Sequence, residues 1–249
     1  MSQSAGTHLH PIAAFRAIRS LTRDREDTRQ AFLLVDALRG KTTLRQFARF
    51  RESDAGRAMV AERRSLLARL SNRAALAQLP PGSLGRAYYD FMASEKLSAE
   101  GLVEASKGAL RPAVDEIAWF RERNREMHDL LHVTAGYGRD PLGEVCVVAF
   151  SYAQTGLKGF AVIAAIGALR IARRLRSVRV LRTVYEAYRQ GRRAAWVIGA
   201  DWENLLAQQL DAVRARFQVV PPVQYPQLLP GIQRAIVDDA AQSARPVAA

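Results

Sequence analysis

Residues 127–144 read Met-His-Asp-Leu-Leu-His-Val-Thr-Ala-Gly-Tyr-Gly-Arg-Asp-Pro-Leu-Gly-Glu, a pattern that predicts two helices joined by a glycine-rich turn. His128 and His132 are one helical turn apart, so on a helix their Cβ atoms share a face at roughly 6 Å. The two glycines of the turn end the first helix, and Pro141 suits the start of the second. A hairpin of this kind would turn Glu144 back towards the two imidazoles.

The side chains of this hairpin are of the kinds that bind divalent metals. Two imidazoles and the carboxylates of Asp129 and Glu144 form a mixed nitrogen and oxygen donor set. A competing interpretation is a surface helix whose histidines simply pair with carboxylates. Against it, the leucines and valine that flank His132 indicate that this helix is at least half buried.

Two known metal motifs resemble the stretch imperfectly. Zincin proteases have a glutamate after the first histidine, where this chain has Asp129, and no third histidine follows here. HD-type phosphohydrolases bind metal through a His-Asp doublet but need further histidines. The only other histidines of this chain are His8 and His10, near the start.

The bulk composition limits the class of protein. The chain has 249 residues and is 49% hydrophobic, enough for one large domain or two small ones. Cys146 is its one cysteine, which rules out an internal disulfide and fits a reducing compartment. The first thirty residues lack the apolar core of a secretory signal. They bear arginines and few acids, as transit peptides do, but they read equally well as an amphipathic helix.

The net charge of +13 comes almost entirely from arginine. Coding bias of a GC-rich genome and a real anionic partner are equally good explanations. Six arginines follow one another without an intervening acid: Arg170, Arg173, Arg174, Arg176, Arg179 and Arg182. Such a run is either a solvated face or a contact with an anionic membrane surface, worth about 1 kcal/mol per basic residue. No nucleic-acid partner is expected, because no reader motif is present and no aromatics interleave with the basic run.

Helical periodicity dominates the chain, and strand-like alternation is nearly absent. We therefore predict an all-α fold: a single multi-helix domain over residues 12–235, with a flexible N-terminus at 1–11 and a flexible C-terminal tail at 236–249. Individual helices are expected at 28–38, at 43–51, after Ser83, after Ser98, from Pro112 through His132, and from Asp201.

The longest apolar run, residues 159–169, has about eleven residues, far below the roughly 20 needed to span a bilayer. Small residues line this region, which favours either close helix packing or a trough for an apolar ligand. They are Gly156, Gly159, Ala161, Ala164, Ala165, Gly167 and Ala168.

The motif His128-Asp129-x-x-His132, eleven residues and then Glu144, resembles the signature of the Coq four family of coenzyme Q (ubiquinone) biosynthesis proteins. The resemblance covers roughly residues 12–218. Eukaryotic members carry an organelle-targeting extension that this N-terminus is expected to lack. We therefore expect a bacterial homologue in the cytoplasm, peripheral on the inner membrane. The segments outside the motif that are similar to the family are 79–88, 134–138, 187–191, 201–203 and 213–214.

The resemblance implies a helical protein that binds a divalent metal, usually given as zinc, through His128, Asp129, His132 and Glu144. Fe2+, Mn2+ and Co2+ suit the same donors. Family members remove the C1 carboxylate of a polyprenylated hydroxybenzoate, and oxidative replacement by hydroxyl is also attributed to them. They lie on the membrane and help to assemble the other ubiquinone biosynthesis proteins. The resemblance thus implies a metal-dependent carboxy-lyase (decarboxylase) whose catalytic residues are the same four. It does not decide whether the protein forms a homo-oligomer.

The donor set suits this chemistry. Carbon dioxide leaves an aromatic acid slowly, because the ring must first be attacked or protonated at C1. A metal can hold the carboxylate and stabilise charge as a Lewis acid. Two histidines and a carboxylate also match non-haem iron oxygenases, so ligand type alone does not select the metal. Asp129 points about 100° around the helix from His128, and the family resemblance favours it as a ligand over a supporting or proton-carrying role.

Two alternatives lie outside enzymology. One is a non-catalytic organiser that binds the prenyl lipid and gathers the other biosynthetic enzymes. The other is a basic helical adaptor without a metal.

Overall fold

The structure, a computed structural model, describes residues 9–23, 28–95, 97–99 and 115–243. Within these ranges the regular structure is helical, without a strand, and the predicted single all-α domain is confirmed. The helices are α1 (Pro11–Arg23), α2 (Thr28–Ala37), α3 (Thr42–Glu52), α4 (Asp54–Ala61), α5 (Leu66–Ser71), α6 (Arg73–Ala77), α7 (Leu84–Ser94), α8 (Glu116–Glu126), α9 (His128–Ala135), α10 (Pro141–Thr155), α11 (Lys158–Leu175), α12 (Arg179–Arg193), a 3₁₀ turn (Val197–Gly199), α13 (Trp202–Leu205), α14 (Leu210–Phe217) and α15 (Tyr225–Ser243).

Helix α10 lies at the centre of the domain and packs against α11, α12 and α15. Its contact with α12 is close because Gly191 has no side chain: a Cβ there would be 2.7 Å from the carbonyl oxygen of Phe150. The buried side chain of Gln154 ties the same helices together, donating to the Gly191 carbonyl oxygen at 2.6 Å and accepting from the Val197 N–H at 2.9 Å. The end of α10 is therefore fixed by packing and by hydrogen bonds.

The small residues of α11 serve close helix packing. A Cβ on Gly159 would be 2.5 Å from Val35 Cα of α2, and one on Gly167 would be 2.4 Å from Val145 Cγ2 of α10. Helices α1 and α2 bury a small apolar cluster of their own against this side of α11. None of the helices in the described ranges is long and apolar enough to cross a membrane.

The predicted hairpin is present between α9 and α10. Gly136 ends α9 in the left-handed region, with φ +78°, where an L side chain is strained. Asp140 begins α10 by accepting from the N–H groups of Leu142 at 3.1 Å and Gly143 at 3.2 Å. Pro141 occupies the first turn, as expected. The two helices pack against each other, so the side chains of their adjoining ends share one region.

The long helix expected from Pro112 through His132 is two helices. Asp115 caps α8 by accepting from the Ala118 N–H at 3.0 Å, and Pro112 lies outside the described residues. Burial differs across the break at Met127: α8 is mostly half-buried, with Glu122 exposed, whereas every residue of α9 from 130 to 135 is buried. Residues 130–135 of α9 therefore belong to the core.

The late helix expected from Asp201 is present but short: Asp201 caps α13 by accepting from the Asn204 N–H at 3.4 Å, and α13 ends at Leu205. The predicted tail boundary at 235 lies inside α15, which runs to Ser243 and tolerates Pro230 within it. The helix expected after Ser98 falls on residues outside the described ranges.

A buried ion pair joins α8 to α13. The side chains of Arg123 and Glu203 are 2% and 6% exposed, and each terminal nitrogen of Arg123 donates to one carboxylate oxygen at 2.6 Å. Arg123 also donates to the carbonyl oxygen of Ala200 at 3.2 Å. Because both charges are removed from water, neither is tolerated without the other.

Glu203→Gln should therefore destabilise the fold by about 3–5 kcal/mol, since it leaves the buried Arg123 guanidinium without its countercharge. The double variant Arg123→Met, Glu203→Leu should recover most of that loss. Urea unfolding followed by circular dichroism measures both values. Equal stability of the single and double variants would show that the pair is not coupled.

Candidate metal centre

Three donor atoms from the two helices of the hairpin meet at one point. The Nε2 atoms of His128 and His132 are 3.2 Å apart. The Oε2 atom of Glu144 is 3.5 Å from the first and 3.4 Å from the second. Helix α9 supplies both imidazoles from one face, and the first turn of α10 supplies the carboxylate. The structure thus brings the imidazoles of His128 and His132 together with the Glu144 carboxylate.

These separations fit a small divalent ion. Donor atoms bound to zinc at roughly 2.0–2.2 Å in a tetrahedron are about 3.3–3.6 Å apart. The observed distances of 3.2, 3.4 and 3.5 Å lie at or near that spacing. Two imidazoles and one carboxylate are also the protein ligands of many catalytic sites, which keep a further position for substrate or water. The residues present therefore fit a metal in number, type and spacing.

The orientation of His132 is fixed by the turn that follows it. Its ring is buried, 1% exposed, and stacks on Phe91 of α7 with centroids 5.6 Å apart. Its Nδ1 lies 3.0 Å from the Tyr137 carbonyl oxygen and 3.1 Å from that of Gly138. Carbonyl oxygens only accept, so Nδ1 carries a hydrogen, and Nε2 is the ring atom that faces the other donors.

Glu144 divides its two oxygens between the imidazoles and an arginine. Oε1 accepts from Arg139 Nε at 3.1 Å, while Oε2 faces both histidines. Burial alone would raise the pKa of the Glu144 carboxyl, but the adjacent imidazoles of His128 and His132 outweigh burial and hold that pKa far below its usual range. Burial likewise would lower the pKa of His128, and its hydrogen bond to Glu144 instead raises that pKa. Without a metal, the neighbouring Glu144 carboxylate therefore favours the charged form of His128.

Asp129 offers a further donor atom near the two histidines. One carboxylate oxygen of Asp129 and one ring nitrogen of each histidine all lie within 4.8 Å of one another. Its carboxylate has no hydrogen-bond or ion-pair partner among the residues that the structure describes. This half-buried, unpaired acid differs from Glu144, which contacts both imidazoles.

Several supporting residues were not predicted as parts of the site. Arg214 of α14 donates to the carbonyl oxygens of Thr134 and Val133, both at 3.0 Å, and so satisfies the last turn of α9. Tyr225 of α15 contacts the turn between the histidines and Glu144. Both residues come from distant parts of the chain, where local sequence patterns carry no signal for the contact. Arg139 and Phe91 were missed as well, although Arg139 lies within the motif itself.

A family model described as coenzyme Q (ubiquinone) biosynthesis protein Coq4 matches residues 12–223. The chain belongs to the Coq4 family. The match includes both histidines and both acids of the candidate site, and the resemblance inferred from the motif is confirmed. Helix α15 begins at Tyr225, after the matched range ends.

Animal relatives named ubiquinone biosynthesis protein COQ4 homolog, mitochondrial, resemble the chain over its greater part. The rat protein is 35% identical over 153 residues, which cover 60% of this chain and 55% of that protein. The zebrafish (Danio rerio) protein is 32% identical over 189 residues, which cover 73% of this chain and 66% of that protein. The human protein is 33% identical over 153 residues, which cover 61% of this chain and 56% of that protein. The chain thus spans little more than half the length of the rat and human proteins.

A solved structure shares the fold. The crystal structure of a candidate ubiquinone biosynthesis protein from Nostoc punctiforme superposes with a TM-score of 0.65. The match covers 85% of this chain and 99% of that protein, at 23% sequence identity. The helical arrangement is therefore common to both.

In metal-free protein, Glu144→Gln should lower stability more near pH 6 than near pH 9. The raised pKa of His128 means that its ion pair with Glu144 stabilises the fold fully below about 6.5, the unfolded value. That stabilisation is lost as pH rises through the folded pKa of His128. Because both groups are partly exposed, the loss near pH 6 should be about 1 kcal/mol.

Urea unfolding in the presence of a chelator measures this difference at the two pH values. Glu52→Gln, an exposed acid remote from the histidines, is the matched control and should show little change at either pH. The same loss for Glu144→Gln at both pH values would contradict the pairing with a charged His128.

Proposed function

We propose that this protein is a metal-dependent enzyme of ubiquinone biosynthesis that removes the C1 carboxylate from a polyprenylated hydroxybenzoate. The observation that carries the proposal is the convergence of His128 Nε2, His132 Nε2 and Glu144 Oε2 at mutual distances of 3.2–3.5 Å. Membership of the Coq4 family supplies the pathway. Zinc is the favoured metal, and Fe2+, Mn2+ and Co2+ suit the same donors.

His128, His132 and Glu144 would hold the metal, and Asp129 lies close enough to join or support them. When bound, the metal would act as a Lewis acid that holds the substrate carboxylate and stabilises negative charge. The fixed tautomer of His132 keeps its Nε2 lone pair directed at the shared point. Arg139, bonded to Glu144 Oε1, adds a positive charge next to the donors, which favours an anionic substrate.

The reaction needs a proton at C1, and Asp129 is the residue best placed to deliver it. Its carboxylate is half buried and unpaired among the described residues, so no partner has to be displaced. A proton delivered through Asp129 would bond to C1, and the bond from C1 to the carboxylate carbon would then break. Its electron pair returns to the ring, carbon dioxide leaves, and Asp129 regains a proton from water. The net change is one proton consumed and one carbon dioxide released.

The lipid substrate requires access to a membrane, and the α11–α12 junction suits contact with an anionic surface. Four apolar side chains are exposed there or nearby: Leu169, Val178, Leu181 and Tyr185. The arginine run of residues 170–182 lies on the same two helices, with Arg173, Arg176, Arg179 and Arg182 exposed. Exposed apolar side chains among cations are typical of proteins that bind peripherally to anionic membranes.

The same surface would also serve a non-catalytic organiser that binds prenyl lipid and gathers other ubiquinone biosynthesis proteins. That alternative does not need the donor atoms to converge. Substitutions in the donor set therefore separate the two functions.

His132→Ala should abolish metal binding and reduce release of labelled carbon dioxide at least about 100-fold, since loss of a mere supporting partner already costs 10–100-fold. The assay uses purified protein, detergent-dispersed substrate with a short prenyl chain and a ¹³C-carboxylate, and mass spectrometry of the ring product. Under ¹⁸O₂, a labelled hydroxyl at C1 would identify the oxidative reaction, and a hydrogen there the simple decarboxylation.

His10→Ala is the matched control, because it removes an exposed histidine outside the site. If His132→Ala lost its metal and still released carbon dioxide at the wild-type rate, the proposed enzyme would be excluded. If wild-type protein showed no turnover but retained lipid binding and partner assembly in both variants, the organiser would be favoured.

Arg173→Gln combined with Arg182→Gln should weaken binding to vesicles of mixed phosphatidylserine and phosphatidylcholine by roughly 10–30-fold, at about 1 kcal/mol per charge. Vesicle sedimentation measures the partition. The pair Arg192→Gln, Arg193→Gln removes two exposed charges from the other end of α12 and should have a smaller effect. Equal losses from both pairs would point to net charge rather than a defined surface.

A further inference from the structure

The hydroxyl of Tyr225 bonds to the turn that joins the two histidines of α9 to Glu144 of α10. Tyr225 is buried, 4% exposed, at the start of α15. Its hydroxyl accepts from the Gly138 N–H at 2.9 Å and donates to Asp140 Oδ2. Its ring meets that of Tyr137 edge to face, with centroids 5.2 Å apart. One side chain therefore bonds two positions of the turn that separates His132 from Glu144.

The first of these bonds leads to His132. The Gly138 N–H donates to the Tyr225 hydroxyl, and the Gly138 carbonyl oxygen accepts from His132 Nδ1 at 3.1 Å. The orientation of this short segment therefore determines where the carbonyl points. The His132 ring follows that carbonyl, and the ring direction decides whether Nε2 faces the other donors.

The second bond leads to Glu144. Asp140 uses Oδ2 for Tyr225 and Oδ1 to cap α10 at the N–H groups of Leu142 and Gly143. The Asp140 carbonyl oxygen accepts from the Glu144 N–H at 3.0 Å. Asp140 thus sets the first turn of α10, which positions the carboxylate of Glu144.

The turn has little spare room around this hydroxyl. A Cβ on Gly138 would be 2.8 Å from the Tyr225 oxygen, and one on Gly143 would be 2.9 Å from it. A Cβ on Gly143 would also be 2.0 Å from the Gly138 carbonyl oxygen. The two glycines therefore allow α10, the turn and the hydroxyl to approach one another closely.

The hydroxyl keeps its proton at neutral pH. Burial raises the pKa of Tyr225 well above its usual value, and the hydrogen bond to Asp140 raises it further. The donor and acceptor roles at Gly138 and Asp140 are therefore constant across the physiological range.

Tyr225 lies outside the range that defines the family match, which ends at residue 223. Helix α15 is nevertheless anchored in the core, since Leu228 and Ile232 are 8% and 3% exposed and the helix packs on α10 and α11. The position of Tyr225 is therefore set by a helix outside the hairpin that is itself anchored in the core.

We propose that Tyr225 is a positioning residue of the candidate metal centre, and that its hydroxyl holds His132 and Glu144 at ligand separation through Gly138 and Asp140. The metal part of this inference rests on the proposed function. The effect on the His132 ring does not, because the hydrogen bonds involved need no metal.

The test is Tyr225→Phe, which removes the hydroxyl and keeps the ring. Zinc affinity, measured by competition with a chromophoric chelator, should fall about tenfold, as for other partners that orient a ligand. In metal-free protein labelled with ¹⁵N-histidine, His132 should be the Nδ1–H tautomer in wild type and a mixture of both tautomers in the variant. Because the chain has only four histidines, the signals of His132 can be assigned.

Tyr152→Phe is the matched control. It removes a hydroxyl from a half-buried tyrosine on α10 whose ring stacks on Tyr188, away from the turn. It should leave both readouts at wild-type values. Asp140→Asn is the second variant, used if Tyr225→Phe does not fold. It keeps an oxygen to cap α10 but loses the anionic acceptor of the Tyr225 hydroxyl. It should change the zinc affinity and the His132 tautomer in the same direction as Tyr225→Phe, but by a smaller amount.

A lower unfolding midpoint with unchanged zinc affinity and an unchanged His132 tautomer would overturn the proposal and leave Tyr225 a packing residue. If wild-type protein bound no zinc, the proposed function and the metal part of the inference would both fail. A tautomer change in Tyr225→Phe would in that case still support the role of the hydroxyl on His132.

Discussion

A buried histidine needs a partner for each ring nitrogen, and the site depends on how His132 meets that need. Its Nδ1 donates to the carbonyls of Tyr137 and Gly138, so its Nε2 must face His128 and Glu144. Two carbonyls can point at one ring only if the chain turns sharply after α9. The left-handed Gly136 provides that turn. Asp140 then caps the start of α10, and the first turn of α10 places Glu144 opposite the two imidazoles.

The hairpin was predictable because its signals are local. The histidine spacing, the glycines and Pro141 each act within one or two helical turns. The break at Met127 was not, because no glycine or proline marks it and the backbone hydrogen bonds continue through it: the Met127 N–H reaches Arg123 O at 3.1 Å. What distinguishes α9 from α8 is the burial of residues 130–135, which is decided by the rest of the domain.

The supporting residues could not be predicted, because their partners are remote in the chain. Arg214 and Thr134 are 80 positions apart, Arg123 and Glu203 also 80, and Tyr225 and Gly138 are 87 apart. Periodicity identifies which face of a helix is buried but not which neighbour it meets. The motif thus indicated the donor atoms, whereas the contacts that orient them required the folded chain. Asp129 is an intermediate case: its place near the histidines was expected, and its lack of a partner was not.

The fixed spacing of the three donor atoms has a consequence for ion choice. Calcium prefers six to eight oxygen ligands at 2.3–2.6 Å, and a rigid pocket with two imidazole nitrogens offers neither that number nor that chemistry. Among smaller first-row ions these donors would discriminate weakly, because affinity rises from manganese to copper in much the same order at any such site. Occupancy inside a cell would then reflect which ion is supplied to the nascent protein.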